Sequence, residues 1–304
     1  MIALGFDTSN YTTSAAWFDG ETGRNAGKLL TVKSGALGLR QSDALFQHVK
    51  RLPEIVDALE ESLPAEGICA VGASTRPRAV EGSYMPCFLA GENQARVLAR
   101  VLGVPFYAWS HQQGHLAAVL LSAGRMDLME QPLLAWHLSG GTTELLYVRP
   151  GLHAERIGGT EDLSAGQLID RTGQLLGLDF PAGKALDALA GDTVVKPYPV
   201  KVRNGTFSLS GIQNQVQKLA ESGATPEETA SYALRCICYA VQKATDQGKA
   251  QYGDLPVVFT GGVSSNSQLR RTMVKLGGVF GSPETSTDNA LGIAVLTHRE
   301  LSHE

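Results

Sequence analysis

Two strand–turn–strand stretches, about 130 residues apart, constrain this chain more than any other feature it has. In the first, Ile2 to Phe6 is apolar, Asp7-Thr8-Ser9-Asn10 has turn chemistry, and Thr12 to Phe18 is rich in β-branched and aromatic residues. In the second, Leu133 to Leu138 is an apolar run, Ser139-Gly140-Gly141-Thr142 is a tight turn, and Thr143 to Val148 is the returning strand. Mostly helical sequence follows each copy. One unit of strands and helices used twice predicts a duplicated α/β protein, with a boundary near residue 128, between Gly124 and Pro132. Residues 1–128 form the N-terminal lobe and 129–304 the C-terminal lobe, with the last helix free to return to the first.

The helical spacing is read at Gln41–Leu63, Gly91–Leu102, His111–Leu121, Asp162–Leu176 and Thr225–Gln251. Pro53 marks a break or a new first turn in the first of these. A third apolar strand, Pro256–Thr260, runs into Gly261-Gly262 and a helix expected over Ser264–Arg270. Three turns, at Asp7-Thr8-Ser9, Ser139–Thr142 and Thr260–Val263, thus follow apolar strands. Backbone N–H groups in such turns form concavities that suit phosphate oxygens, and Gly permits close approach. The pattern is neither G-x-G-x-x-G nor G-x-x-x-x-G-K-[ST], which argues against Rossmann and P-loop sites. It fits the duplicated actin, sugar-kinase and Hsp70 (ASKHA) architecture, with an adenine nucleotide between two lobes. Ser139-Gly140-Gly141 would take the phosphate side, and Gly261, Gly262 and Asn266 the adenosine side.

His111-Gln112-Gln113-Gly114-His115 places two imidazoles four residues apart, on one face of a helix for which Ser110 is a natural N-cap. Such a pair can share a metal ion. Gln112 rules out H-E-x-x-H, so a zinc-peptidase site is not expected. Four aspartates, Asp162, Asp170, Asp187 and Asp288, stand near small residues in apolar surroundings. Asp288 either caps the last helix or supplies the third ligand; an Asp with two His suits Fe²⁺ or Zn²⁺. The metal would then join the two lobes.

Composition narrows the classes. With 26 Lys and Arg against 30 Asp and Glu, the net charge is -4, so no overall basic field advertises nucleic acid. Cys69, Cys87, Cys236 and Cys238 show no C-x-x-C pattern and read as free thiols in a reducing cytoplasm. Residues 1–7 lack the basic and long apolar regions of a signal peptide, and no run of 18 apolar residues exists to span a membrane.

Ordered along the chain, the segments Leu4–Ser9, His48–Pro53, His111–His115, Leu138–Gly141, Asp162–Gly166, Phe207–Gly211, Gly261–Asn266 and Asp288–Ala290 resemble those of the TsaD family. These are the tRNA threonylcarbamoyladenosine transferases formerly described as O-sialoglycoprotein endopeptidases (Gcp). The resemblance implies that His111, His115 and Asp288 hold one divalent metal, iron or zinc. It implies that His137, Leu138, Ser139, Gly140 and Gly141 form the phosphate-binding turn. Asp170, Gly183, Asp187 and Asn266 would contact nucleotide or substrate. The implied ligand is threonylcarbamoyl-AMP (or ATP or AMP), the acceptor an adenosine beside the tRNA anticodon. TsaB-like and TsaE-like subunits, or a second copy, are the implied partners.

The first loop departs from the family pattern. Where the family has two acidic residues, this chain has Tyr11 and Thr12; Thr142 replaces a family histidine, and Thr75-Arg76-Pro77-Arg78 stands for an Arg-Gly-Pro-Gly segment. A divergent paralogue, with another acceptor for a carbamoyl or acyl group, is one alternative. A non-catalytic nucleotide-binding partner subunit is another, against which the retained histidine pair argues. Peptidase activity is not expected, since no nucleophile–base pair is evident.

Overall fold

The computed structural model describes residues 1–9, 11–32, 39–60, 62, 63, 67–282, 285 and 289–303. The chain divides into two compact units, residues 1–126 with 287–304, and residues 127–286. In chain order the first unit contains β1 (Ile2–Thr8), β2 (Thr12–Phe18), β3 (Gly23–Leu29), α1 (Gln41–Glu60), β4 (Ile68–Arg76), α2 (Leu89–Leu102), β5 (Phe106–Ser110) and α3 (His111–Ser122). The second contains β6 (Leu133–Leu138), β7 (Thr143–Arg149), β8 (His153–Thr160), α4 (Ala165–Leu175), α5 (Gly183–Ala190), β9 (Thr206–Phe207), α6 (Ser210–Glu221), α7 (Pro226–Tyr252), β10 (Val257–Thr260), α8 (Ser267–Val274) and β11 (Gly278–Phe280). The last helix, α9 (Leu291–His303), belongs to the first unit.

The duplication is explicit in the sheets. The first unit's strands lie in the order β3-β2-β1-β4-β5; the second unit's lie β11-β10-β6-β7-β8-β9. Read from the other edge, β8-β7-β6-β10-β11 repeats the first order, and β9 is an addition. In both units the first two pairings are antiparallel and the last two parallel. This is the actin-like ASKHA arrangement, built twice.

Burial explains what the sequence reveals and what it hides. Every residue of β1 and β2 is buried, so these strands read as continuous apolar or small-residue runs. β3 is an exposed edge strand, Gly-Arg-Asn-Ala-Gly-Lys-Leu, with no such signature. In the first unit α9 crosses the sheet where side chains are missing: a Cβ on Gly5 would stand 2.5 Å from Ala294 N, and one on Gly72 1.9 Å from Thr297 Oγ1. Pro53 does not break α1, which runs uninterrupted from Gln41 to Glu60. α4 begins at Ala165, three residues later than Asp162, because Ser164 is the cap and accepts from Gln167 N. The helix expected over 264–270 is split: a 3₁₀ turn over Gly262–Ser265 precedes α8, whose N-cap is Asn266. No described helix is long and apolar enough to cross a membrane.

Candidate functional site

In the first unit, α3 starts directly at the end of β5. Ser110 and Gln113 form a reciprocal capping box: Gln113 N donates to Ser110 Oγ at 3.2 Å, and Ser110 N to Gln113 Oε1 at 3.0 Å. One helical turn then fixes the histidine pair. The rings of His111 and His115 meet edge to face at 4.3 Å, with their Nε2 atoms 2.9 Å apart. The 2.9 Å separation is a hydrogen-bond distance, and two imidazoles this close on one helix face are the residues that would hold a shared ion such as zinc or ferrous iron.

The other edge of His111 is held too. Its Nδ1 lies 2.7 Å from Asp7 Oδ2, and the Asp7 side chain is 1 % exposed. Asp7 ends the apolar run of β1; its second oxygen accepts from Ser9 N at 2.9 Å. A buried carboxylate accepting the Nδ1 proton leaves Nε2 as the lone-pair nitrogen, the arrangement found behind metal-bound histidines. Sequence reading had Asp7 only as a turn residue; the signal available was its place at the end of a strand equivalent to the one that precedes Ser139.

Asp288 lies outside the described residues. Among those described, no group of three or more His, Cys, Asp and Glu is placed to hold a metal. The expectation of a metal joining the lobes changes, because the C-terminal helix that follows Asp288 folds with the first unit, the unit of the histidines. The glycine between the histidines matters here. A Cβ on Gly292 would stand 1.8 Å from Gly114 O, so backbone meets backbone where α9 crosses α3.

The second unit contains a cavity of about 430 Å³. Gly140, Asp170, Gly183, Asp187, Gly262 and Asn266 line it, together with Lys184. Six of the sequence-predicted residues are thus brought to one place. At Gly140 and Gly262 an added Cβ would meet nothing within 4 Å, and at Gly183 only Ile169 Cγ2 at 4.0 Å. The bare backbone forms a cradle with room above it. The 139–142 turn is closed by Ser139 N donating to Thr142 O at 2.8 Å, and Ser164 Oγ anchors it by donating to Gly140 O at 2.7 Å.

Asp187 and Asn266 are largely engaged by the protein itself. Asp187 accepts from Asn266 Nδ2 at 2.8 Å, from Ser267 N at 2.8 Å and from Ser267 Oγ at 2.9 Å, which ties α5 to the start of α8. Asn266 Oδ1 caps α8 by accepting from Leu269 N. Among the described residues Asp170 accepts from Ala182 N alone, at 2.9 Å on Oδ1, and no partner of Oδ2 is found among them. Leu138 points into the core of the second unit and His137 is half-buried; neither they nor Ser139 and Gly141 line the cavity. Lys184, the cation at the rim, escaped sequence reading because α5 carries no periodic signal long enough to place it.

Asp162 has a different role. Its carboxylate accepts from Ser208 Oγ and Ser210 Oγ, and from the amides of Leu209 and Leu163. Burial works to raise its pKa, but these hydroxyls and amides outweigh it and hold the group well below the usual carboxylate range. It fastens the end of β8 to the segment after β9.

With this geometry in view, a family comparison decides the assignment. The model of the family described as "TsaD: tRNA N6-adenosine threonylcarbamoyltransferase" matches residues 37–295. The chain belongs to the TsaD family. Membership makes it a transferase of the tRNA-modifying type in general terms. Solved structures similar to this chain share its fold at low identity. Full-length HypF in a phosphate- and nucleotide-bound form matches with TM-score 0.65 and 13 % identity, over 99 % of this chain and 55 % of that one. Component A of the Acidaminococcus fermentans (R)-2-hydroxyglutaryl-CoA dehydratase matches with TM-score 0.59 and 14 % identity, over 99 % of both chains. A ROK family glucokinase from Streptomyces griseus, in complex with glucose and AMPPNP, matches with TM-score 0.54 and 13 % identity, over 98 % of this chain and 100 % of that one.

Proposed function

We propose that this TsaD family member transfers a threonylcarbamoyl group from threonylcarbamoyl-AMP to the exocyclic amine of the adenosine beside a tRNA anticodon. The observation that carries this reading is the half-buried Asp7–His111–His115 chain, with the two histidine Nε2 atoms 2.9 Å apart. A scaffold subunit has no need of such an arrangement. Asp288 is the proposed third ligand, and the backbone contact of Gly292, four residues later, with Gly114 supports it. A bound divalent ion, Fe²⁺ or Zn²⁺, supplies Lewis-acid stabilisation of negative charge.

The chain's own residues have separate tasks. Asp7 holds the Nδ1 proton of His111 and so sets its tautomer. The bare backbone at Gly140, Gly183 and Gly262 suits an adenine nucleotide, and Lys184 complements phosphate charge. Asp170 Oδ2 suits a ribose hydroxyl. In the transfer, the amine nitrogen bonds to the carbamoyl carbon, the bond from that carbon to the phosphate oxygen breaks, AMP departs with its electron pair, and the amine nitrogen gives up one proton to the AMP phosphate or to water. Proper orientation of the mixed anhydride is the main thing such a cradle contributes.

One observation favours a second acceptor class within the same chemistry. Tyr11 is exposed where the family has an acidic residue, and Thr12 is buried where it has another. A partner is also proposed, a TsaB-like or TsaE-like subunit or a second copy: Phe46, Val49 and Val56 leave an exposed apolar stripe along α1. The deciding experiment supplies the metal-loaded protein with threonylcarbamoyl-AMP and unmodified tRNA, with and without partner subunits. Nucleoside mass spectrometry should find threonylcarbamoyladenosine. Consumption of the donor with no tRNA product would favour the other acceptor, and no consumption at all would end the transferase reading.

A further inference from the structure

We infer that the second unit holds a further ligand site, for a small molecule bearing a carboxylate or phosphate, in a cavity separate from the glycine-lined one. The cavity measures about 530 Å³ and is lined from α7, from α8 and its C-terminal end, and from the segment after α5. Nothing in the proposed transfer uses it, and the inference does not rest on that reading.

Arg235 of α7 is the central observation. Among the described residues its Nε is buried without a hydrogen-bond partner and the side chain makes no ion pair. A half-buried guanidinium with an orphaned Nε–H is unusual, because Arg satisfies buried N–H groups through a carboxylate or a carbonyl. The Nε and neighbouring Nη edge is the side that grips an oxyanion with two parallel hydrogen bonds. Arg235 lines the cavity, and the acid in its lining, Asp192, is paired with Arg271.

Gln268 is the second observation. It is more than nine-tenths buried, it lines the same cavity, and its Oε1 has no partner among the described residues. The two ends of an amide are assigned by their partners, so a ligand meeting Gln268 would satisfy either an acceptor or, with the amide turned, a donor. Two polar groups on neighbouring helices, both short of a partner and both lining one space, indicate a ligand better than either alone.

The charge balance fits an anion. Arg235, Arg271 and Lys275 line the cavity against a single acid, Asp192, which Arg271 already holds at 2.6 Å. Cys238 lies in the wall, and burial pushes its thiol up to about 12, so it stays neutral and does not oppose an anion. Tyr239, Val194 and Leu276 supply apolar surface, which suits an organic body behind the anionic group. α8 serves both cavities: Asn266 at its start lines the first and Gln268 in its first turn lines the second.

The test is calorimetric titration of the full chain with inorganic phosphate and, separately, with succinate. Saturable binding of at least one is expected, and which one distinguishes a phosphate from a carboxylate ligand. Arg235→Gln should weaken that binding tenfold or more. Arg271→Gln, at an exposed position, should weaken it at least threefold and serves if Arg235→Gln does not fold. Gly140→Val, which alters the other cavity, should change it less than twofold. Absence of saturable binding for both anions, binding indifferent to both arginine variants, or binding lost in Gly140→Val instead would overturn the inference.

Discussion

Asp7 Oδ2 accepts from His111 Nδ1 at 2.7 Å, across 104 positions of sequence, and thereby decides which nitrogen of His111 faces His115. Asp7→Asn keeps the shape and the Ser9 contact but turns an acceptor into an N–H donor. His111 would then accept on Nδ1 and carry its proton on Nε2, where a metal needs the lone pair. The expected result is a loss of metal affinity of roughly 10- to 100-fold with little change in stability, the usual size of such outer-shell effects. Metal stoichiometry and competition titration check it, beside His111→Ala and His115→Ala, which should lose the ion. Wild-type affinity in Asp7→Asn would show that the carboxylate does not set the tautomer.

Gly140→Val tests the cradle. Space is open at this Cβ position, so folding should be nearly unaffected, within roughly 1 kcal/mol by thermal melting, since no neighbour must move. The side chain would project where a nucleotide approaches. AMP affinity by calorimetry should fall at least about tenfold, or about 1.4 kcal/mol. An unchanged affinity would remove the cavity from the nucleotide assignment.

Gly292→Ala tests the crossing of α3 and α9. The new Cβ would stand 1.8 Å from Gly114 O, a backbone atom that cannot swing away. A loss of about 2 kcal/mol or more is expected, in line with overpacked sites. Gly67→Ala, whose Cβ would meet nothing within 4 Å, is the control and should cost less than about 0.5 kcal/mol. Denaturant midpoints decide; equal values for the two variants would mean that the helices can separate freely.

His48 makes stability depend on pH. It is fully buried on α1, its Nδ1 is 2.8 Å from Thr13 Oγ1, and burial pushes its pKa down from 6.5 to about 4. The folded state therefore holds the neutral ring, while the unfolded chain takes up a proton below about pH 6.5. The contribution is complete above pH 6.5 and is lost progressively as pH falls toward 4, up to about 3 kcal/mol at 1.36 kcal/mol per pH unit. Urea unfolding between pH 4.5 and 7 should show stability rising with pH, with a shallower slope in His48→Gln. Parallel slopes in the two proteins would assign the acid sensitivity to other groups.

What the sequence by itself determined are the features encoded within one turn or one strand. β1, β2, β6 and β7 are legible because central strands need uninterrupted apolar or small residues, and the turns at 7–9 and 139–142 because their residues bend the chain locally. α3, its Ser110 cap and the i, i+4 histidines follow from helix periodicity alone. The edge strand β3 and the short α5 were not legible, since an exposed strand needs no apolar pattern and eight residues show too little of one. Tertiary structure decided which distant groups meet. Asp7 faces His111 because β1 and β5 flank β4 in one sheet and α3 continues from β5. Asp187 is joined to Ser267 across 80 positions. α9 returns to the first unit because Gly5, Gly72 and Gly114 leave it a surface without side chains, and backbone approach of that kind depends on the absence of atoms on both partners at once, a property of the packed pair that neither segment carries alone.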